Sequence, residues 1–193
     1  LSGSLRKGSF NSALLRAAAG LMPESATLEI GTIEGIPLYH GDLEAERGLP
    51  ETVIALKDRI AEADALLLVT PEYNNSIPGV FKNAIDWLSR PASDIERVFG
   101  GKTAALMGAS PGAFGTILSQ NAWLPVLRTL GVDLWSSGRM MVPRANAAFD
   151  AAGVQCVNLM SSPGAGKTML LQRTLDEVAD ELRVGIVEGD IET

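Results

Sequence analysis

The chain has 193 residues, 46% of them hydrophobic, and a formal net charge of −7; it can hold one sizeable core plus an appendage, and a nucleic-acid groove is disfavoured as its main function. One Cys, Cys156, and one His, His40, exclude an internal disulfide, a Cys-rich zinc or iron–sulfur site and a histidine metal cluster. No apolar run nears the roughly 20 residues that span a bilayer and no secretory signal opens the chain, so a cytoplasmic protein with no membrane partner is expected.

In chain order, the first predicted helix covers 9–21. Ser9 is its N-cap, Leu14, Leu15 and Ala18 share a face, and Pro23 lies beyond its end. A short strand is predicted over 27–33. A helix follows over 49–63, with Val53, Leu56 and Ile60 at helical spacing. The run 65–70 is fully apolar, the pattern of a strand buried on both faces of a parallel sheet. The helix over 78–88 accepts Pro78 in its first turn. A strand over 102–108, a helix over 115–131 closed by Gly131, and a last strand over 132–135 complete the series. This alternation predicts an α/β fold with a doubly wound parallel sheet.

Residues 145–153 are small and polar and read as a linker. Beyond them, a strand over 154–160, a Gly-rich loop over 161–168, a helix over 169–182 and a strand over 183–187 form one β-α-β unit. A unit of that size cannot fold alone and must pack on a larger body. The expected division is therefore 1–150 and 151–193. Both ends look cut, since no Met or apolar strand precedes Leu1 and the sequence stops at Thr193 just after a strand pattern. A fragment or a fusion is expected.

Four stretches carry chemistry. In the first, Ser4, Arg6, Ser9, Phe10 and Asn11 surround the start of the first helix. A helix N-terminus presents free N–H groups and a partial positive charge, which stabilise a phosphate, and Arg6 adds a planar charged fork. The second is Pro71-Glu72-Tyr73-Asn74-Asn75-Ser76, running on to Trp87. It follows the buried strand 65–70, and ligands bind at the carboxyl ends of strands in open α/β sheets. Its Tyr and two Asn offer a flat ring and several donors to a flat, polar ligand. The third, 108–116, follows the next strand. Its glycines at 108, 112 and 115 let backbone approach a ligand closely. The fourth, Ser161-Ser162-Pro163-Gly164-Ala165-Gly166-Lys167-Thr168, is close to a phosphate-binding P-loop. In that pattern the backbone at Gly164, Ala165 and Gly166 cradles phosphates, Lys167 reaches the β/γ-phosphates and Thr168 binds Mg²⁺.

The stretch 71–87 closely resembles the signature of the NAD(P)H-dependent FMN reductases with a flavodoxin-like fold, a group that includes quinone, azo and chromate reductases. The runs 2–11 and 108–116 resemble that family's phosphate loop and second flavin loop, and the resemblance covers about residues 1–150. It implies FMN as cofactor, NAD(P)H as co-substrate, a small-molecule electron acceptor and a homo-oligomer, either dimer or tetramer. It implies that Ser4, Arg6, Ser9 and Asn11 face the FMN phosphate, with Phe10 beside them. Pro71, Glu72, Tyr73 and Asn74 would wrap the ring, and Ser110 and Gly112 would lie in the second loop. Ser76 would support its own loop, and Ile85 and Trp87 would serve helix packing or a subunit contact. In this chemistry the flavin carries the electrons and the protein supplies position and polarity, so no catalytic side chain is assigned. The family's leading strand and final helix are missing here, so reduced stability and impaired activity are expected.

The fourth stretch, taken with Glu188-Gly189-Asp190-Ile191-Glu192-Thr193, closely resembles the hydrogenase nickel-incorporation GTPases. That implies GTP with Mg²⁺ at the loop but no efficient hydrolysis, because the further parts that hydrolysis needs are absent. The expectation is a chimera in which strand 154–160 replaces the missing strand and completes the same sheet. Two functions compete. One is an FMN-dependent NAD(P)H oxidoreductase. The other is an engineered or fused α/β scaffold that holds nucleotide phosphate without turnover.

Overall fold

The computed structural model describes residues 1–151. The predicted strand 154–160 and the P-loop residues Gly164, Ala165, Gly166, Lys167 and Thr168, with their expected GTP and Mg²⁺, lie outside the described residues. The elements are α1 (Phe10–Gly20), α2 (Gly41–Arg47), α3 (Glu51–Glu62), β1 (Ala65–Val69), α4 (Gly79–Leu88), α5 (Ile95–Phe99), β2 (Thr103–Ala109), α6 (Ile117–Thr129), β3 (Asp133–Leu134), β4 (Met140–Val142) and α7 (Ala145–Ala151).

The sheet is parallel throughout. β1 and β2 pair from Ala65↔Thr103 to Val69↔Met107. The far edge of β2 takes β3 at its start and β4 at its end, so these two short pieces act as one strand interrupted by the turn Ser136–Gly138. On the free side of β1, the backbone of Leu1–Gly3 bonds to Val69 at both its N–H (2.8 Å) and its C=O (2.9 Å). The chain thus enters α1 beside the carboxyl end of β1. An α/β flavodoxin-like architecture with an open parallel sheet results, as expected.

Leu66, Leu68, Ala104 and Leu106 of the two central strands are buried with Val53, Leu56 and Ile60 of α3. Each fully buried large apolar side chain contributes about 1.5–3 kcal/mol. Phe81 of α4 meets Trp123 of α6 edge-on at 4.9 Å. Ile85 and Trp87 are 2% and 1% exposed, which assigns them to packing within the chain.

Several expectations need correction. Residues 27–33 form no strand. Ile33 still enters the core, but the backbone next to β1 on that side is the short stretch Leu1–Gly3, bound to β1 at Val69, too short to offer residues 27–33 a ladder partner. The predicted linker begins with α7, whose Ala content favours helix. Helix α2 was not anticipated because it buries no side chain and so has no apolar period. Polar contacts hold it. His40 Nδ1 accepts from the N–H of Asp42 at 3.2 Å, and Glu44 accepts from the Tyr39 hydroxyl at 2.9 Å and from Arg90 Nε at 2.9 and 3.0 Å. The Arg90 guanidinium beside Glu44 holds its carboxyl below the usual range.

Gly108, near the end of β2, has no room for a side chain. A Cβ there would lie 1.7 Å from Thr116 Oγ1 and 2.5 Å from the carbonyl oxygen of Thr70. Gly108→Ala should therefore lower stability by about 1–3 kcal/mol through overpacking. A urea-unfolding midpoint equal to that of the parent protein would contradict the close approach.

Candidate functional site

Parallel strands β1 and β2 end side by side, so the loops that follow them open on the same edge of the sheet. The N-terminus of α1 arrives at that edge because Gly3 is bound to Val69. One cleft results, lined by Ser4, Arg6, Ser9, Phe10, Asn11, Pro71, Glu72, Tyr73, Ala109, Ser110 and Pro111. Nine of the eleven residues singled out for FMN lie on it: Ser4, Arg6, Ser9, Phe10 and Asn11, Pro71, Glu72 and Tyr73, and Ser110.

The α1 wall is set by sequence chemistry. Ser9 has extended backbone angles and its hydroxyl caps the N–H of Ser12, the ordinary N-cap geometry. Ser4 Oγ accepts from the N–H of Arg6 at 3.2 Å, curling the chain just before the helix. The Arg6 guanidinium carbon sits 6.0 Å from the Phe10 ring centre, and no carboxylate among the described residues pairs with Arg6. A hydroxyl, a planar cation and a helix N-terminus together suit a phosphate.

Asn11 does something different. It is buried, its Nδ2 donates to the carbonyl of Ala109 at 2.9 Å, and its Oδ1 accepts the N–H of Ala109 at 2.9 Å. Its amide clamps α1 to the end of β2.

The second wall is the turn after β1. Tyr73 and Ser76 exchange two backbone bonds at 3.1 and 3.0 Å, and the two residues between them, Asn74 and Asn75, have φ of 49° and 63°. That is a two-residue turn with both central residues left-handed, a shape in which Asn is favoured. Ser76 supports the loop through this pairing. Asn74 is exposed and is not among the residues lining the cleft, and its left-handed backbone shapes the turn. Beneath the turn, the Thr70 hydroxyl joins Ser119 Oγ at 2.8 Å and Trp123 Nε1 at 3.1 Å. Glu72 Oε2 accepts the N–H groups of Leu118 (2.8 Å) and Ser119 (3.0 Å) at the start of α6.

The third wall is the loop after β2. Ser110 donates its hydroxyl to the carbonyl of Gly115, while Gly112 uses its own carbonyl to accept from the N–H of Arg144 at 2.8 Å. Gly112 therefore buttresses the loop and is not on the lining. Sequence reasoning missed Ala109 and Pro111 as lining residues. Both lie inside the stretch 108–116 that the sequence marked, beside Ser110, but neither carries a polar side chain that would single it out.

The sequence profile of the NADPH-dependent FMN reductases matches residues 1–147. The chain belongs to this FMN reductase family. It is 48% identical over 153 residues to an NAD(P)H-dependent FMN reductase of Pseudomonas aeruginosa, covering 79% of this chain and 80% of that protein. It is 43% identical over 151 residues to a 2-hydroxy-1,4-benzoquinone reductase of a Burkholderia species, covering 78% and 80%. The solved structure of FerB, a flavoenzyme NAD(P)H:(acceptor) oxidoreductase from Paracoccus denitrificans, is similar with a TM-score of 0.69 and 35% identity, covering 93% of this chain and 92% of that one. These comparisons lend no support to an appended P-loop unit or a chimera.

In this FMN reductase fold, the Asn11 clamp should carry real stability. Asn11→Ala strands the buried N–H and C=O of Ala109, costing about 2–4 kcal/mol. The urea-unfolding midpoint of the ligand-free protein should fall accordingly. A variant as stable as the parent would show that the clamp contributes nothing.

Proposed function

We propose that the protein is an FMN-dependent NAD(P)H oxidoreductase acting on quinone-type acceptors. The observation that carries this reading is the convergence of three sequence-distant loops on one cleft whose α1 end holds Arg6, with no carboxylate partner among the described residues, beside a helix N-terminus. The relatives named above supply the acceptor class, and a small quinone suits a cleft open at its edge.

In this reading Ser4, Arg6 and the N-terminus of α1 hold the phosphate, and Asn11 positions that helix. Pro71, the backbone of Glu72, and Tyr73 form the ring wall, with Ser110 and Pro111 opposite. Bound FMN supplies hydride-transfer chemistry. The net reaction is NAD(P)H + H⁺ + quinone → NAD(P)⁺ + hydroquinone. No side chain is given an acid–base role. Half-exposed Tyr73 offers a flat apolar surface at the mouth, where nicotinamide and acceptor would alternate. Family resemblance extends the proposal to a dimer or tetramer working in the cytoplasm, where NAD(P)H is supplied. The P-loop-like segment 161–168 has no part in it.

The test starts with purified full-length protein, which should take up FMN, turn yellow and oxidise NAD(P)H when a benzoquinone is added. Arg6→Ala should bind FMN about tenfold or more weakly, through loss of a charge-assisted contact of roughly 1.5–3 kcal/mol. Unchanged affinity in that variant would move the phosphate elsewhere, and parent protein that binds no FMN would overturn the proposal.

A further inference from the structure

Glu72 stands on the cleft lining, yet its carboxylate is already engaged. Oε2 accepts two N–H groups, from Leu118 at 2.8 Å and Ser119 at 3.0 Å. These are the second and third residues of α6, which begins at Ile117. A helix leaves its first N–H groups without intrahelical partners, and a side chain at the N-cap normally satisfies one of them. Here the N-cap is Thr116, and its side chain makes no capping bond. Thr116 Oγ1 instead accepts from Gln120 Nε2 at 3.2 Å. Its position is also confined by the close approach of Gly108. The missing cap is supplied from another loop, 46 residues away in sequence.

The geometry points to Glu72 as a positioning residue: its carboxylate caps α6 from outside and thereby fixes the ring-side backbone of the cleft while keeping a negative charge beside it. This inference rests on the proposed FMN site. Two consequences follow from the arrangement. First, the tie is mechanical. Pro71, Glu72 and Tyr73 lead into a tight turn whose backbone pairing, among the described residues, is internal, between Tyr73 and Ser76; the carboxylate anchors that turn to a 13-residue helix. Second, the tie is electrostatic. The positive end of the α6 dipole is answered by Glu72 and does not face the cleft uncompensated. Two-electron reduction adds negative charge to a flavin, and a neighbouring carboxylate opposes that. Removing the charge uncovers the helix terminus as well, and both changes raise the flavin potential.

The experiment compares full-length parent protein with Glu72→Gln and Glu72→Ala. In the ligand-free proteins, hydrogen exchange is read at the amides of Leu118 and Ser119. Exchange should accelerate in Glu72→Ala, while the amide oxygen of Gln keeps part of the protection. With FMN added, the two-electron midpoint potential should shift to more positive values in both variants. FMN affinity should fall further in Glu72→Ala, where the ring-side turn loses its tie to α6, than in Glu72→Gln, where the amide oxygen keeps part of it. The near-isosteric Gln variant keeps the test decisive if the Ala variant does not fold. Parent protein that takes up no FMN overturns the proposed function and this inference with it. Parent protein that binds FMN, with exchange and potential unmoved in both variants, overturns this inference alone.

Discussion

The pair of hydrogen bonds between the Asn11 side chain and the backbone of Ala109 holds the cleft together. A primary amide can pair with a strand's N–H and C=O as another strand would, and at 2.9 Å each both bonds are well made. They join residues 98 apart in sequence and are buried, where an unmet backbone group is costly. Through them α1 cannot shift without pulling on the end of β2, from which the third wall of the cleft begins. The Gly3–Val69 backbone pair does the same for β1. Because β1 and β2 run parallel in unbroken register, fixing α1 to both strand ends fixes all three walls relative to one another.

Charge in the cleft follows from which groups are already paired. Glu72 is held by α6 and Arg6 has no carboxylate partner among the described residues. The protein is acidic as a whole, but an anion entering at the α1 end meets the Arg6 guanidinium and a helix terminus first. At physiological ionic strength charges beyond about 8 Å are largely screened, so this local arrangement outweighs the net charge. Elsewhere the ion pairs are structural. Lys57 is fully buried yet pairs with Asp94 at 2.8 Å and with the carbonyl of Arg90, pinning α3 to the segment after α4. Lys57 and Arg97 together hold the Asp94 carboxyl below its usual range.

How far the sequence could be read depended on whether a residue's role was visible as a pattern. The strands β1 and β2 were legible because fully apolar runs bounded by turn residues have few alternatives. Helices α1, α3, α4 and α6 were legible from their apolar faces and end signals. Helix α2 was not, because its stability comes from Glu44, Arg90, Tyr39 and His40 and not from burial. The strand expected at 27–33 failed because local propensity cannot supply a pairing partner. In the site, residue positions were legible while several roles were not. Asn74 serves a left-handed turn, Asn11 a backbone clamp and Glu72 a distant helix cap; each is a polar residue whose partner is local geometry or lies 46 or 98 positions away. No spacing rule in a single sequence announces such partners.

The central claim is that one cleft, built by three loops on adjacent parallel strands, holds both the phosphate and the ring of FMN. The most direct measurement is a crystal structure of the full-length protein grown with FMN. The account predicts the phosphate against Ser4, Arg6 and the N-terminus of α1, with the ring along Pro71–Tyr73 and Ser110. FMN seated with its phosphate at residues 161–168, or with its ring away from the turn after β1, would contradict it.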